Sequence, residues 1–219
     1  MIYRNVVKRI LDFILALIGL IVLSPVFVVI IILVRCRLGS PVFFHQERPG
    51  RGQRIFGLIK FRTMTQECDA DGKLLPDAVR LTAFGKFLRK TSLDELPELI
   101  NILKGDMSFI GPRPLLVSYL PYYTKREQLR HTVRPGLTGL AQASGRNMLD
   151  WDRRMDKDVE YVENLTLGMD LRVIGMTVRT VLGHSDQVAE DTNAAEGNFA
   201  QIRAERLGKT GRLRPDEAD

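Results

Sequence analysis

Apolar residues crowd the front of this chain. From Phe13 to Val34 there is no charged side chain, and about 20 apolar residues suffice to cross a bilayer as a helix. Ser24 and Pro25 interrupt that run. The proline lacks an N–H and its ring presses on the carbonyl of Ile21, so a sharp bend is predicted there, with the Ser24 hydroxyl able to partner a freed carbonyl. Next, Val42, Phe43 and Phe44, then Ile55, Phe56, Leu58 and Ile59, flank the link ERPGRGQR, the pattern of a small β-hairpin. Residues 66–79 read as a polar loop. Leu81, Phe84, Phe87 and Leu88 recur at helical spacing among Lys86, Arg89 and Lys90. Such a helix suits the head-group level or a core with one wet face, and proximity to the anchor favours the membrane. Another helix is predicted from about Leu96 to Lys104, and a glycine-rich loop from Pro135 to Asn147. Trp151–Leu182 reads as a long helical stretch whose later part sets Leu167, Leu171, Ile174 and Val178 beside Arg172 and Arg179. Beyond His184 the residues are polar and aperiodic, which predicts a mobile or partner-dependent tail.

Charge refines the picture of the anchor. Arg4, Lys8 and Arg9 precede it and Arg35 and Arg37 follow it, so the positive-inside tendency pulls both ends toward one side. A re-entrant helix-break-helix is favoured, with a proline-kinked transmembrane helix as the alternative. A cleaved signal fits less well, because the run is long and arginines stand where a small-residue cleavage site belongs. The expected fold class is mostly α with a small β-hairpin, monotopic, with interfacial amphipathic helices. Its organisation is a re-entrant helix over residues 1–38, a catalytic core over 39–183 and a polar tail over 184–219.

Of the 219 residues, 45% are hydrophobic and 26% charged, a folded balance with room for a real core. The net charge of +6 calls for anionic partners and does not choose among nucleic acid, acidic lipid and nucleotide phosphate. Cys36 and Cys68 suggest neither a metal cage nor a disulfide framework, which fits a reducing, cytosol-facing compartment. His45, His131 and His184 lack metal-ligand spacing. A nucleophile-elbow serine and a phosphate-binding P-loop are both missing from the sequence.

The candidate chemistry lies in TSLDELPELINIL. Asp94 and Glu95 are adjacent, and Arg113 follows eighteen residues after Glu95 in the turn Gly111, Pro112, Arg113, Pro114. Ser92 and Glu95 have capping-box spacing, so the pair could simply open a helix. Pro97 shifts the start toward residues 94–96 and puts both carboxylates at a helix mouth, where free N–H groups also favour phosphate. Neighbours on a helix diverge by roughly 100°, unlike glycosidase carboxylates that face each other across a sugar. Adjacent acids suit one nucleophile beside one metal ligand. Lys60 and Arg62 leave the second strand as a basic pair, either a surface cluster or part of the site, and Arg113 could grip phosphate or pair with an acid.

The blocks HQERPGRGQRIFGLIKFRTM, LTAFGKFLRKTSLDELPELINILKGDMSFIGPRP, VRPGLTGLAQASGRN and DVEYVENLTLGMDLRVI closely resemble the bacterial sugar transferase family of monotopic phosphoglycosyl transferases. The resemblance runs from about residue 4 to residue 182 and includes the Ser24 and Pro25 break. It implies transfer of a sugar 1-phosphate from a UDP-sugar to polyprenyl (undecaprenyl) phosphate with release of UMP, the first membrane step of a surface glycan. It also implies Asp94 as nucleophile, forming an aspartyl phosphosugar, and Glu95 as a ligand of Mg²⁺. Lys60, Arg62, Arg89 and Arg113 match basic positions around the phosphates. Gln142 and Asp158 match polar positions of the site. The implied partners are the UDP-sugar, polyprenyl phosphate and membrane lipids, with a homo-oligomer or downstream glycosyltransferases beyond these and no nucleic acid. The implied location is the bacterial inner membrane, with the core facing the cytoplasm. The chain reads as a minimal form without the multispanning N-terminal region of larger relatives. Leu140 stands where many relatives carry an aromatic residue, and Ala143 and Ser144 precede Gly145 where other small polar or branched residues are common. Two rival classes are a membrane-anchored binding protein, for which Asp94 need not be a carboxylate, and a membrane diphosphate hydrolase, which needs no lipid acceptor.

Overall fold

The computed structural model describes residues 2–145, 149–182, 192–211 and 213–214. A π-helical turn over Tyr3–Val7 leads into α1 (Lys8–Val22), and α2 (Ser24–Leu38) leaves it at a bend of 63°. Pro25 stands in the first turn of α2, and the Ser24 hydroxyl donates to the Ile21 carbonyl at 2.8 Å, the group that the proline ring displaces. No single described helix is long and apolar enough to cross a membrane, whereas the bent pair together has the length and composition.

The buried face of α1 carries Lys8, Asp12 and Ala16, while Ile10, Phe13, Ile14, Leu17, Ile18 and Ile21 point outward. That is the reverse of a soluble amphipathic helix, and it is the arrangement expected where the surroundings are apolar. Each polar side chain of this inner face has a partner. Lys8 meets Asp170 at 2.8 Å, and Asp12 accepts from the Phe109 N–H at 3.1 Å. Arg9 donates to the carbonyls of Ile102 and Leu103 at 2.6 and 2.8 Å.

Those two carbonyls belong to the last turn of α5 (Glu98–Lys104), where the Gly105 N–H also reaches the Ile102 carbonyl and Arg9 adds a side-chain donor to each. The expected hairpin is present, with β1 (Phe43–Pro49) antiparallel to β2 (Ile55–Phe61) and Phe44 opposite Lys60. Asn101 of α5 pins β2 from the side: its Oδ1 accepts from the Ile59 N–H at 3.0 Å and its Nδ2 donates to the Gly57 carbonyl at 2.8 Å. After the polar loop and one helical turn, α3 (Asp77–Arg80), comes α4 (Ala83–Lys90), capped by the Thr82 hydroxyl. Its Gly85 lies so close to the Thr63 carbonyl that a Cβ would stand 1.8 Å away. Leu88 enters the core beside Ile30, Val34, Leu38 and Phe61, so the inner faces of α2 and α4 share one cluster, while Phe87 is exposed.

A short parallel pair, β3 (Ser108–Ile110) with β4 (Gly136–Thr138), joins the middle of the chain. Two 3₁₀ segments, Val117–Tyr122 and Glu127–Thr132, lie between its strands, and α6 (Leu140–Ala143) follows. The stretch expected as one long helical unit is divided into α7 (Trp151–Glu163) and α8 (Leu167–Leu182). Asn164 leaves helical geometry and the Thr166 hydroxyl accepts from the Met169 N–H at 3.2 Å, starting the second helix afresh.

The tail departs from expectation. Within it, α9 (Thr192–Thr210) is a helix whose Phe199 and Arg203 are fully buried. Phe199, with Ala200 and Ile202 beside it, and the arginines Arg203 and Arg206 attach it, too sparse an apolar pattern to register as periodicity. His184, with Arg146 and Asn147 of the glycine-rich loop, lies outside the described residues.

Candidate functional site

Asp94 and Glu95 occupy a 3₁₀ turn, Leu93–Glu95, between α4 and α5. Ser92 ahead of it takes a left-handed conformation (φ 54°) and its side chain makes no cap, so the capping-box reading does not apply. With Pro97 at the N-terminal boundary of α5, the turn delivers both carboxylates to the mouth of the helix as expected.

The two acids are treated differently by their surroundings. Glu95 Oε1 receives Lys60 Nζ at 2.7 Å and Arg113 Nη2 at 2.9 Å. Burial alone would push its pKa up, but Arg113 and Lys60 together hold it well below the usual carboxylate range. Asp94 is buried beside it, and no hydrogen-bond donor sits on its carboxylate among the described residues. Burial first, and then the Glu95 charge, push Asp94 up to about 6 against the pull of Lys60, Arg89 and Arg113. Arg89 is held near it by a hydrogen bond to the Thr63 hydroxyl at 3.0 Å.

A third acid joins them. Glu98 is 2% exposed and lies 3.4 Å from Lys60 Nζ. Burial and the neighbouring Glu95 raise it to about 7. It was absent from the sequence reading because an acid in the first turn of a helix has a sufficient local explanation. The available signal was its spacing, three residues after Glu95 and therefore on the same side of the turn.

Lys60, Arg89 and Arg113 thus converge on the acidic pair, and the other expected residues do not. Arg62 is turned away from the acids: its guanidinium donates to the carbonyls of Leu38 and Ser40 and closes the C-terminal end of α2. Asp158 is reached only indirectly. It accepts from Arg130 Nε and Nη2 at 3.1 and 2.8 Å, and Arg130 Nη2 also donates to the Arg113 carbonyl at 2.6 Å. Gln142, in α6, donates to the Leu137 carbonyl at 3.1 Å, while its Oε1 is buried without a partner among the described residues. Arg130 belongs to no motif, and its pairing across 28 residues left no local trace.

Among the described residues no group of three or more His, Cys, Asp or Glu side chains could hold a metal by itself. The donors at hand are one unpaired carboxylate and a second already shared between two cations. That set fits Mg²⁺, which takes one or two carboxylates and fills its octahedron with phosphate oxygens and water.

The sequence model described as Bacterial sugar transferase matches residues 3–184. The chain belongs to that family. It is 50% identical over 177 residues to the "Uncharacterized sugar transferase EpsL" of Bacillus subtilis, covering 81% of this chain and 88% of that protein. It is 37% identical to the "Exopolysaccharide production protein ExoY" of Sinorhizobium fredii, covering 80% and 84%. With the "Undecaprenyl-phosphate galactose phosphotransferase" of Salmonella typhimurium it shares 39% identity over 80% of this chain, but only 40% of that longer family member.

Proposed function

We propose that this chain transfers a sugar 1-phosphate from a UDP-sugar to polyprenyl phosphate, releasing UMP and leaving a polyprenyl diphosphate sugar that starts a surface glycan. Family membership and the likeness to an undecaprenyl-phosphate galactose phosphotransferase support the reaction class. The observation that carries the mechanism is the asymmetry of the acidic pair: both near cations sit on Glu95, while Asp94 is unpaired. An Asp94 pKa of about 6 keeps it ionised at neutral pH and more basic than a surface carboxylate.

Asp94 attacks the β-phosphorus of the donor, the bond from that phosphorus to the bridging oxygen breaks, and UMP departs with the electron pair. A phosphate oxygen of the lipid then attacks the same phosphorus, the aspartyl ester breaks, and the Asp94 carboxylate is restored. Glu95 would hold Mg²⁺ together with the diphosphate oxygens, where the ion supplies charge neutralisation for the anionic attack. Lys60 and Arg113 orient Glu95 and present fixed positive charge to the diphosphate, and Arg89 does the same beside Asp94.

The bent α1–α2 pair, with its apolar outer face and the polar Lys8 and Asp12 turned inward on α1, enters and leaves the cytoplasmic leaflet from one side and holds the core at the inner membrane. In a cysteine-free background, single cysteines at positions 2 and 40 label from the same compartment; labelling from opposite compartments overturns the re-entrant reading.

The reaction is tested with purified protein in nanodiscs, a panel of UDP-sugars and Mg²⁺, with and without polyprenyl phosphate. Sustained UMP release that needs the lipid, together with a phosphosugar adduct on Asp94 when the lipid is left out, is expected. Sustained release without lipid would make the protein a hydrolase.

A further inference from the structure

The helix α9 lies beyond residue 184, where the match to the family ends, yet it is built into the catalytic core. Phe199 is fully buried among Tyr119, Tyr123 and Trp151, with ring centroids 4.9, 5.5 and 5.0 Å away. One turn further on, Arg203 is likewise fully buried. Its Nη2 donates to Glu127 Oε1 at 2.8 Å and to Asp152 Oδ1 at 2.7 Å, and its Nη1 donates to the Leu213 carbonyl at 2.8 Å. Arg206 and Arg214 meet Asp152 and Asp156 at 2.7 and 2.6 Å, so the basic side chains of the tail are matched to an acidic face on α7.

The Glu127 end of this arrangement leads to the active site. Glu127 Oε2 accepts from the Thr124 N–H at 2.8 Å, and the Glu127 N–H donates back to the Thr124 hydroxyl, a reciprocal cap that fixes the start of the 127–132 segment. Arg130, in the next part of that segment, holds the Arg113 carbonyl, and the Arg113 side chain holds Glu95. We propose that α9 is a clasp for the active site: Arg203 is a positioning residue that locks the 127–132 segment through Glu127, and so sets where Arg113 presents its guanidinium to Glu95 and the diphosphate.

The proposal rests on the transfer reaction above and concerns a helix that reading does not use. It is tested by a double-mutant cycle between Arg203→Gln and Arg113→Lys, read as kcat/KM for UMP release. Alone, Arg203→Gln is expected to lower kcat/KM about tenfold. In the Arg113→Lys background, the same change should cost no more than about twofold, because the group it positions is already altered. A tenfold loss in both backgrounds would make Arg203 a general stabiliser and overturn the clasp, as would a folded Arg203→Gln protein with unchanged kcat/KM. Should Arg203→Gln fail to fold, the cycle is run with Arg203→Lys, which keeps the charge and gives up the forked geometry. Hydrogen exchange separates this idea from the transfer reading. Amides of residues 111–116 are expected to exchange faster in the Arg203 variant whether or not any UDP-sugar is turned over, and unchanged exchange there overturns the clasp.

Discussion

Two groups of acids lie on one small core, and they are handled in opposite ways. Around α7 and the 127–132 segment, Glu127, Asp152, Asp156 and Asp158 each have an arginine at 2.6 to 2.8 Å. Around the start of α5, three carboxylates share Lys60, Arg113 and the more distant charge of Arg89, and only Glu95 is fully engaged. The first group is locked and its charge is spent on architecture. The second is less fully paired, and there burial first and then the Glu95 charge lift Asp94 to about 6 and Glu98 to about 7. The reaction proposed above is served by that difference, since a carboxylate without a donor, as at Asp94, can still react or bind.

The largest expected effect breaks the contrast at its reactive member. Asp94→Asn is expected to reduce UMP release by at least about 10⁴-fold, the scale on which loss of a covalent nucleophile acts, and to abolish the phosphosugar adduct in intact-mass spectra. Retention of the adduct would move the attack to another residue.

Next comes the locked group. Asp158→Asn strips the carboxylate charge from a buried arginine and should destabilise the fold by about 3–5 kcal/mol, seen as a fall in the denaturation midpoint. A midpoint within about 0.5 kcal/mol of the parent would show that the Arg130 pair is not what holds this region.

Glu98 gives a smaller effect of opposite sign. Its folded pKa is raised, so the native state holds the proton longer than the unfolded chain, and stability falls as pH rises from its ordinary range through about 7. Glu98→Gln should therefore match the parent near pH 4 and exceed it at pH 8 by on the order of 2–3 kcal/mol. Equal stability at both pH values would sink this account.

The mildest perturbation is pH itself. The rate of single-turnover UMP release should fall about tenfold from its plateau by pH 5, as Asp94 is protonated through about 6. Reading only the first half-reaction keeps the titration of the lipid phosphate out of the profile. A flat rate down to pH 5 would remove Asp94 as the titrating group.

Much of this was legible where the deciding interactions are local. The hairpin, the α4 helix and the bend at Ser24 and Pro25 follow from spacings of one to four residues, and each is present. The acidic turn was also legible, because Pro97 limits where α5 can begin. What escaped is long-range. Arg62 reads as a phosphate ligand until the end of α2 and the turn after it bring the carbonyls of Leu38 and Ser40 within reach. Arg203 reads as one more charge in a polar tail until Glu127 and Asp152, more than fifty positions away, are brought beside it. The break between α7 and α8 rests on one asparagine and one threonine in a sequence that otherwise favours helix.

The inner face of α1 also bears on how the molecule can be taken apart. Arg9 donates to the end of the helix that opens next to Glu95, and Asp12 tethers β3, so the N-terminal segment serves as a keystone of the enzyme. Cutting the chain ahead of residue 39 would take the Arg9 donors from the last turn of α5 and expose Leu58, Leu99, Ile102 and Met107, which lose Ala16 and its neighbours as cover. Exchanging this segment for an unrelated apolar helix would lose that architecture.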